Sequence, residues 1–447
     1  EISLGLVGSE MCIRDRYMMK KDLKLLFSLP ILSWALYDFS NTIFSANIVT
    51  LFFPQYITET IGQDAQSEQI ASTLIAYASS IAAILLIVLS PSYGVYIDRT
   101  KKRKQWILLG TLIIFVGLCL MGVIADQSSD RLLFGIPMMT LFVIVIFTVI
   151  KFVYNSSLVF YDAMMTDIAH KSKHSIVSGF GVGLGYMGTL FGVFFIMFFI
   201  GTDEAHKTFI PTAILFLLFS IPLFLFTKEP KTENTSQDNK WLGYAEIIKT
   251  FKLAKNYPAI YIFLAVYFFL NDALATAISM MQPYATTVIG FTTDEFIGVF
   301  LIATVFSVIG AFSFGLIAQK ITSIYALVIV MFILMIALII ASIPLPKEVF
   351  YLCAILFGIA MGSIWVISRT LIIELAPDEH VGQFFGLFSM SGKLSAVVGP
   401  FLYGTITWVF SEQGAVASRY AILSLLVMSI IAMILHFVLI RTTQRLR

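Results

Sequence analysis

Residues 105–125 read QWILLGTLIIFVGLCLMGVIA, a run of 21 residues without a charge, set directly behind the basic cluster Lys101-Lys102-Arg103-Lys104. About 20 apolar residues in a helix cross the hydrocarbon core of a bilayer, so this run is a membrane span. Its apolar positions are continuous and do not alternate with period two, which excludes the strand of a membrane barrel. Eleven more runs of this kind lie along the chain, at 29–57, 70–96, 132–160, 175–201 and 207–227, then at 258–289, 296–319, 323–343, 349–375, 384–410 and 418–440. The sequence thus predicts an all-α membrane protein of twelve transmembrane helices in two six-helix halves, 18–227 and 258–447. The polar loop 228–257 joins them.

Composition agrees. Of 447 residues, 58% are hydrophobic and 13% charged, and the mean hydropathy is +0.90. A soluble domain carries about a quarter charged residues, so no soluble core accounts for this chain. The formal net charge of +2 points to no nucleic-acid or acidic partner. Cys119 and Cys353 sit in apolar runs and Cys12 near the start, so neither a disulfide framework nor a CxxC metal pair is present. Residues 1–17 include EISLGLVGSEMCIRDR, which lacks the form of a signal peptide and resembles a translated sequencing adapter; the natural start is expected at Met18 or Met19.

Lys and Arg set the orientation. One side carries Lys20, Lys21, Lys24, the cluster after Arg99, Lys171, Lys173, the lysines of the central loop, Lys320, Arg441 and Arg445; the other has Arg131, Lys207, Lys347 and Arg419. The positive-inside rule then makes both termini and the central loop cytoplasmic, in what is expected to be a bacterial inner membrane. An even number of spans requires the same.

The halves read as repeats. Gly94-Val95-Tyr96-Ile97-Asp98-Arg99 follows the second span and Gly315-Leu316-Ile317-Ala318-Gln319-Lys320 the eighth. Asp167-Ile168-Ala169 and Glu374-Leu375-Ala376 end the fourth and tenth, and Gly179 and Gly185 stand in the register of Gly386 and Gly392. Duplicated halves are how many secondary transporters are built, with the solute site between them near the midplane.

The turn from Gly94 through Asp98 and Arg99 to Arg103 resembles the loop motif of the major facilitator superfamily, with Lys101 where a second glycine is usual. Trp34 to Asn41 (WALYDFSN), Phe180 to Gly188, Asn271-Asp272 and Phe384 to Ser395 (FFGLFSMSGKLS) look like its vacuole-effluxer-like branch, related to autophagy-linked vacuolar amino-acid exporters. The resemblance implies the major facilitator fold and, as cargo, amino acids or similar small metabolites. It also implies that Asp98 contacts the start of the eleventh helix near Gln383, a cytoplasmic latch to which Arg99 belongs.

Charges inside spans are costly, so each is a functional candidate. Asp38 lies a third of the way in from the cytoplasm, Lys151 and Asp272 near the middle, and Arg369 and Lys393 in the cytoplasmic third. Asp38, Asn41, Lys151, Asn271 and Asp272 are the candidates for solute or proton binding. Asp98, Arg99, Asp162, Arg369 and Lys393 are the candidates for gating, although snorkelling or structural pairing explains Arg369, Glu374 and Lys393 equally well. The register that superposes Asp167 on Glu374 superposes Asp162 on Arg369, so these two are expected to meet across the pseudo-symmetry axis when the cytoplasmic side is closed. An acid at Asp272 and a base at Lys151 would suit a zwitterion, unless the two simply neutralise each other.

Other patterns carry less. Gly183-Leu184-Gly185-Tyr186-Met187-Gly188 satisfies G-x-G-x-x-G, but no strand precedes it; close helix packing through Gly181, Gly185, Gly188 and Gly192 explains it better. Gly399-Pro400 predicts a kink or a hinge. His170 and His174, beside Lys171 and Lys173, read as solvated and not as metal ligands. Trp241 to Leu253 is either a helix on the inner membrane surface or a solvated linker. The function expected is secondary transport of a small solute by alternating access, with a carboxylate carrying the coupling proton and with no cofactor. A membrane enzyme would need a nucleophile–base or metal set, and neither H-E-x-x-H nor G-x-S-x-G occurs. A non-transporting receptor or scaffold of the same fold is the other rival.

Overall fold

The computed structural model describes residues 24–62, 64–100, 103–127, 131–133, 136–168, 174–201, 204–228, 252, 255–377 and 381–446. The tail before residue 18, most of the central loop with its Trp241 to Leu253 segment, and His170, Lys171 and Lys173 lie outside these residues, as do the side chains of Asp98, Arg99, His174 and Gln383.

Among the described residues, twelve long helices account for the twelve runs. The first, α1, is continuous but changes pitch: α-helical over Leu29–Phe44, π-helical over Ser45–Phe52 and α-helical again over Phe53–Ile61. Then come α2 (Ala65–Thr100), α3 (Arg103–Ala125), α4 (Met138–Ile168), α5 (His174–Phe199) and α6 (Phe209–Phe226). The second half holds α7 (Pro258–Tyr284, extended by a π turn Ala285–Ile289), α8 (Thr293–Ile321), α9 (Ser323–Ser342), α10 (Val349–Leu375), α11 (Val381–Val409) and α12 (Ala415–Leu446). The fourth span starts later than its hydropathy suggests. Leu132–Leu133 and Ile136–Pro137 pair as a short antiparallel ladder, β1 and β2, and the helix begins behind Pro137. Proline fixes φ and lacks a donor, so it suits a helix entrance and not its interior.

The repeat extends to individual contacts. In α5, a Cβ on Gly185 would lie 3.1 Å from the Asp38 carboxylate, Gly188 abuts Phe39 and Thr42, and Gly192 packs on Ile43. In α11 the corresponding residues are Gly392, Ser395 and Gly399, which meet Tyr267, Asn271 and Asp272 of α7. Asp38, Thr42 and Ile43 share their spacing with Tyr267, Asn271 and Asp272, and the same register places Pro54 on Pro283. Small residues in α5 and α11 let these helices approach α1 and α7 closely, which is how packing replaces the hydrophobic effect in lipid.

The halves meet on the face opposite the chain ends, called here the far face. Thr73 Oγ1 lies 2.9 Å from Thr407 Oγ1, Tyr77 OH 3.1 Å from Thr405 Oγ1, and Ser80 Oγ donates to Val397 O at 3.2 Å. Ser418 Oγ donates to Gln69 Oε1 at 2.6 Å. These residues occupy the far halves of α2 and α11 and the start of α12. The π-helical and final segments of α1 also touch α7. Towards the other face, Asp162 on α4 and Arg369 on α10 are exposed. Among the described residues, the fold is joined on the far face and open to solvent between α4 and α10.

Candidate functional site

The segment Trp34 to Asn41 is placed almost entirely by aromatic packing. Trp34 stacks on Tyr161 of α4 with ring centroids 4.7 Å apart, and the pair is held reciprocally: Trp34 Nε1 donates to Tyr161 O at 3.3 Å and Tyr161 OH donates to Trp34 O at 3.1 Å. Gly181 leaves room for the Trp34 ring. Ser40 bonds Ser220 of α6 at 2.8 Å, and Tyr37 is fully buried. Trp34, Tyr37, Phe39 and Ser40 are consumed in holding α1 against α4, α5 and α6. Asp38, partly exposed over Gly185, is left for other work.

Asp38 lies within Coulombic reach of Asp162 and Arg369, and Asp162 within reach of Lys393 as well as Arg369. Two acids from the first half thus face two bases from the second. Asp162 and Arg369 are exposed, Asp38 and Lys393 half-buried. Charges this deep in a helical bundle and still solvent-accessible describe a water-filled chamber. In water such pairs attract by about 1 kcal/mol at 4 Å, and by about 4 kcal/mol once the surroundings dry to an effective dielectric near 20. The chamber can therefore stay open while hydrated and gain attraction as it closes. Asp162 and Arg369 thus face each other across the halves within Coulombic reach, with Lys393 and Asp38 in the same field.

Two aromatic residues not singled out in the sequence border the same chamber. Tyr186 lies beside Ser307 of α8 and within reach of Arg369 and Asp38; Tyr267 is near Arg369. The repeat would have shown both. Tyr186 stands in the register of Lys393 and Tyr267 in that of Asp38, so the four are two pseudo-symmetric pairs.

Lys151 and Asp272 do not meet. Lys151 Nζ donates to Ser79 Oγ at 2.7 Å and sits 5.6 Å from the Phe147 ring; among the described residues no acid is paired with it. Asp272 is fully buried, and its Oδ1 accepts the amide hydrogen of Gly399 at 2.7 Å while Oδ2 has no partner. Asn271 donates to Gly392 O at 3.2 Å and Ser395 Oγ at 2.8 Å. Asn271 and Asp272 therefore grip α11 around Gly399-Pro400, and the reason is local. A Cβ at 399 would overlap Thr276 and the Asp272 carboxyl, and Pro400 interrupts the helical ladder, so α7 supplies polar groups where α11 is weakened. Asn41 is buried, its Nδ2 without a partner among the described residues, while Tyr154 OH donates to its carbonyl at 3.4 Å.

The gating candidates Asp98 and Arg99 have their backbone at the end of α2, with side chains outside the described residues. Behind them Arg103 Nη1 contacts Asp167 Oδ2 at 2.5 Å, tying α3 to α4. No group of three or more His, Cys, Asp or Glu able to hold a metal occurs among the described residues.

The sequence profile of the Major Facilitator Superfamily matches residues 35–400 and 325–447. The chain is 24% identical to the MFS-type transporter YxiO of Bacillus subtilis, over 90% of this chain and 93% of that one. It is 25% identical to autophagy-related protein 22 of Kluyveromyces lactis, over 75% of this chain and 74% of that one. The fold superposes on the crystal structure of a D-xylose-proton symporter with a TM-score of 0.63 at 14% identity, covering 94% and 97% of the two chains. With twelve helices in two pseudo-symmetric halves enclosing a charged chamber, and a family profile spanning nearly its whole length, the chain is a multi-pass membrane protein of the major facilitator superfamily.

Proposed function

We propose that this transporter carries a zwitterionic metabolite of the amino-acid class through the chamber by alternating access, driven by a proton gradient. The observation that carries the reading is the charge arrangement: Asp38 and Asp162 on one wall, Arg369 and Lys393 on the other, solvent-accessible between two halves joined on the far face. A solute bearing both an ammonium and a carboxylate satisfies both walls at once. It replaces water there and allows the chamber to close, and differential binding of that kind is what shifts a two-state equilibrium. The resemblance of WALYDFSN and FFGLFSMSGKLS to the vacuole-effluxer-like branch supports the amino-acid class, and a proton symporter of the same fold is compatible with proton coupling.

In this reading Asp38 receives the ammonium and is the first candidate for the coupling proton. Lys151, deeper and among the described residues without an acid partner, receives the carboxylate once the solute has moved inward, and Asn41 has an unpartnered Nδ2 to offer. Asp162, Arg369 and Lys393 close the chamber behind the solute, assisted by Asp98 and Arg99. Asn271 and Asp272 act through the α11 kink. The basic distribution of the loops places both termini, and the open face, in the cytoplasm.

Reconstitution in proteoliposomes tests this. Radiolabelled neutral amino acids should exchange across the bilayer, and an imposed proton gradient should drive their accumulation. Asp38→Asn should keep exchange and lose accumulation, and Lys151→Met should raise the half-saturating concentration. Absence of exchange for every amino acid offered, with sugars or nucleosides carried instead, would overturn the substrate class.

A further inference from the structure

The two halves treat one pair of equivalent acids differently. Asp167, near the end of α4, is neutralised by Arg103, the first residue of α3. Its counterpart Glu374, near the end of α10, faces Ser323, the first residue of α9, whose Oγ donates to Glu374 Oε1 at 2.6 Å. A hydroxyl stands where the first half has a guanidinium. Glu374 is exposed and, among the described residues, is joined by no cation.

Glu374 closes one end of a cavity of about 410 Å3 between α8, α9 and α10. The cavity has a polarity gradient along the membrane normal. Ser323 and Glu374 lie at the helix ends, at head-group level, whereas Val366 lies about 12 Å and Ala311 and Phe312 about 14 Å further along their helices at a rise of 1.5 Å per residue, with Thr370 in between. Phe312 is 73% exposed, so the cavity opens on the lipid. Its cause is visible in the packing. Gly310, Gly358 and Gly362 bring α8 and α10 into backbone contact through Ile359, Ala303 and Ser307, and the helices part beyond that point towards their ends.

We propose that this cavity binds one phospholipid with a primary-amine head group from the leaflet on the open face, its ammonium on Glu374 and an acyl chain along Ala311, Phe312 and Val366. Charge complementarity selects the head group. A carboxylate with no cation repels anionic lipids and forms its strongest hydrogen bonds with charged N–H donors, which a quaternary choline lacks. The lipid ammonium takes the place that Arg103 holds in the first half, and it braces α9 against α10 as Arg103 braces α3 against α4.

Native mass spectrometry of the full-length protein, released from micelles holding equal amounts of phosphatidylethanolamine, phosphatidylcholine and phosphatidylglycerol, measures this directly. The parent should retain one phosphatidylethanolamine with roughly tenfold preference over phosphatidylcholine, the scale of one hydrogen bond to a charged group. Glu374→Gln should abolish the preference. Ser323→Arg, which supplies the missing guanidinium in place, should also abolish it while leaving the protein folded. Retention without preference in the parent, or an unchanged preference in Glu374→Gln, would overturn the proposal. Neither readout depends on which solute is carried.

Discussion

Asp272 Oδ1 accepts the backbone N–H of Gly399 at 2.7 Å, at the place where the first half packs Ile43 on Gly192. The duplicated contact has been made polar in one copy only. Asp272→Asn keeps an acceptor for Gly399 and removes the charge, whereas Asp272→Ile restores the first-half residue but strands a buried N–H. The isoleucine variant should lose about 1–3 kcal/mol of stability relative to asparagine, read as a lower melting temperature. Equal melting temperatures would show that the Gly399 bond contributes nothing. Transport by Asp272→Asn adds a second measure: exchange retained with accumulation lost would make Asp272, and not Asp38, the proton carrier.

A glycine stripe sets the distance between α1 and α5. A Cβ on Gly181 would come within 2.6 Å of the Trp34 ring, and one on Gly183 would meet nothing. Gly181→Ala should therefore destabilise by about 1–3 kcal/mol, the usual cost of overpacking. Gly183→Ala should be neutral or better, since alanine is the better helix former. The two melting temperatures, measured side by side in one detergent, should differ in that order; a reversed order would refute the packing assignment.

The cross-half charges make a sharper test. Either Asp162→Arg or Arg369→Asp alone leaves like charges facing each other and should reduce transport at least tenfold, taking about 1.4 kcal/mol of lost attraction as the scale. The double exchange restores opposition and should recover part of the rate. Because Lys393 also faces Asp162, recovery should be larger in a Lys393→Met background, where the relocated arginine meets no second base. A double variant no better than the singles in both backgrounds would exclude pairing.

The membrane class, the helix count and the repeat were legible in the sequence because each rests on a one-dimensional pattern: run length, loop charge and register. The same register singles out Asp162 and Arg369, which lie within Coulombic reach of each other across the halves, and whether they pair is what the charge exchange tests. The Lys151–Asp272 pairing was not, since depth along a helix says nothing of the face a side chain occupies, and Gly399-Pro400 and Ser79 offered closer partners. Tyr186 and Tyr267 were missed because an uncharged tyrosine in an apolar run carries no signal until its register is laid on Lys393 and Asp38.

The seam on the far face has to part in every transport cycle, and its chemistry fits that demand. Thr73, Tyr77, Ser80, Thr405, Thr407 and Ser418 are hydroxyls, each contributing only about 0.5–1.5 kcal/mol net when paired and each satisfied by water when exposed. Apolar side chains there would make opening expensive, and ion pairs would make it salt-dependent. Thr73 and Thr407, with hydroxyls 2.9 Å apart, are the pair best placed for a covalent lock. In a background with Cys12, Cys119 and Cys353 replaced, Thr73→Cys with Thr407→Cys should form a disulfide on mild oxidation. Oxidised protein should still bind solute from the open face, seen as a thermal shift, but transport should cease, and dithiothreitol should restore it. Transport at the parent rate with the disulfide formed quantitatively would mean that α2 and α11 never separate, and alternating access about this seam would have to be abandoned.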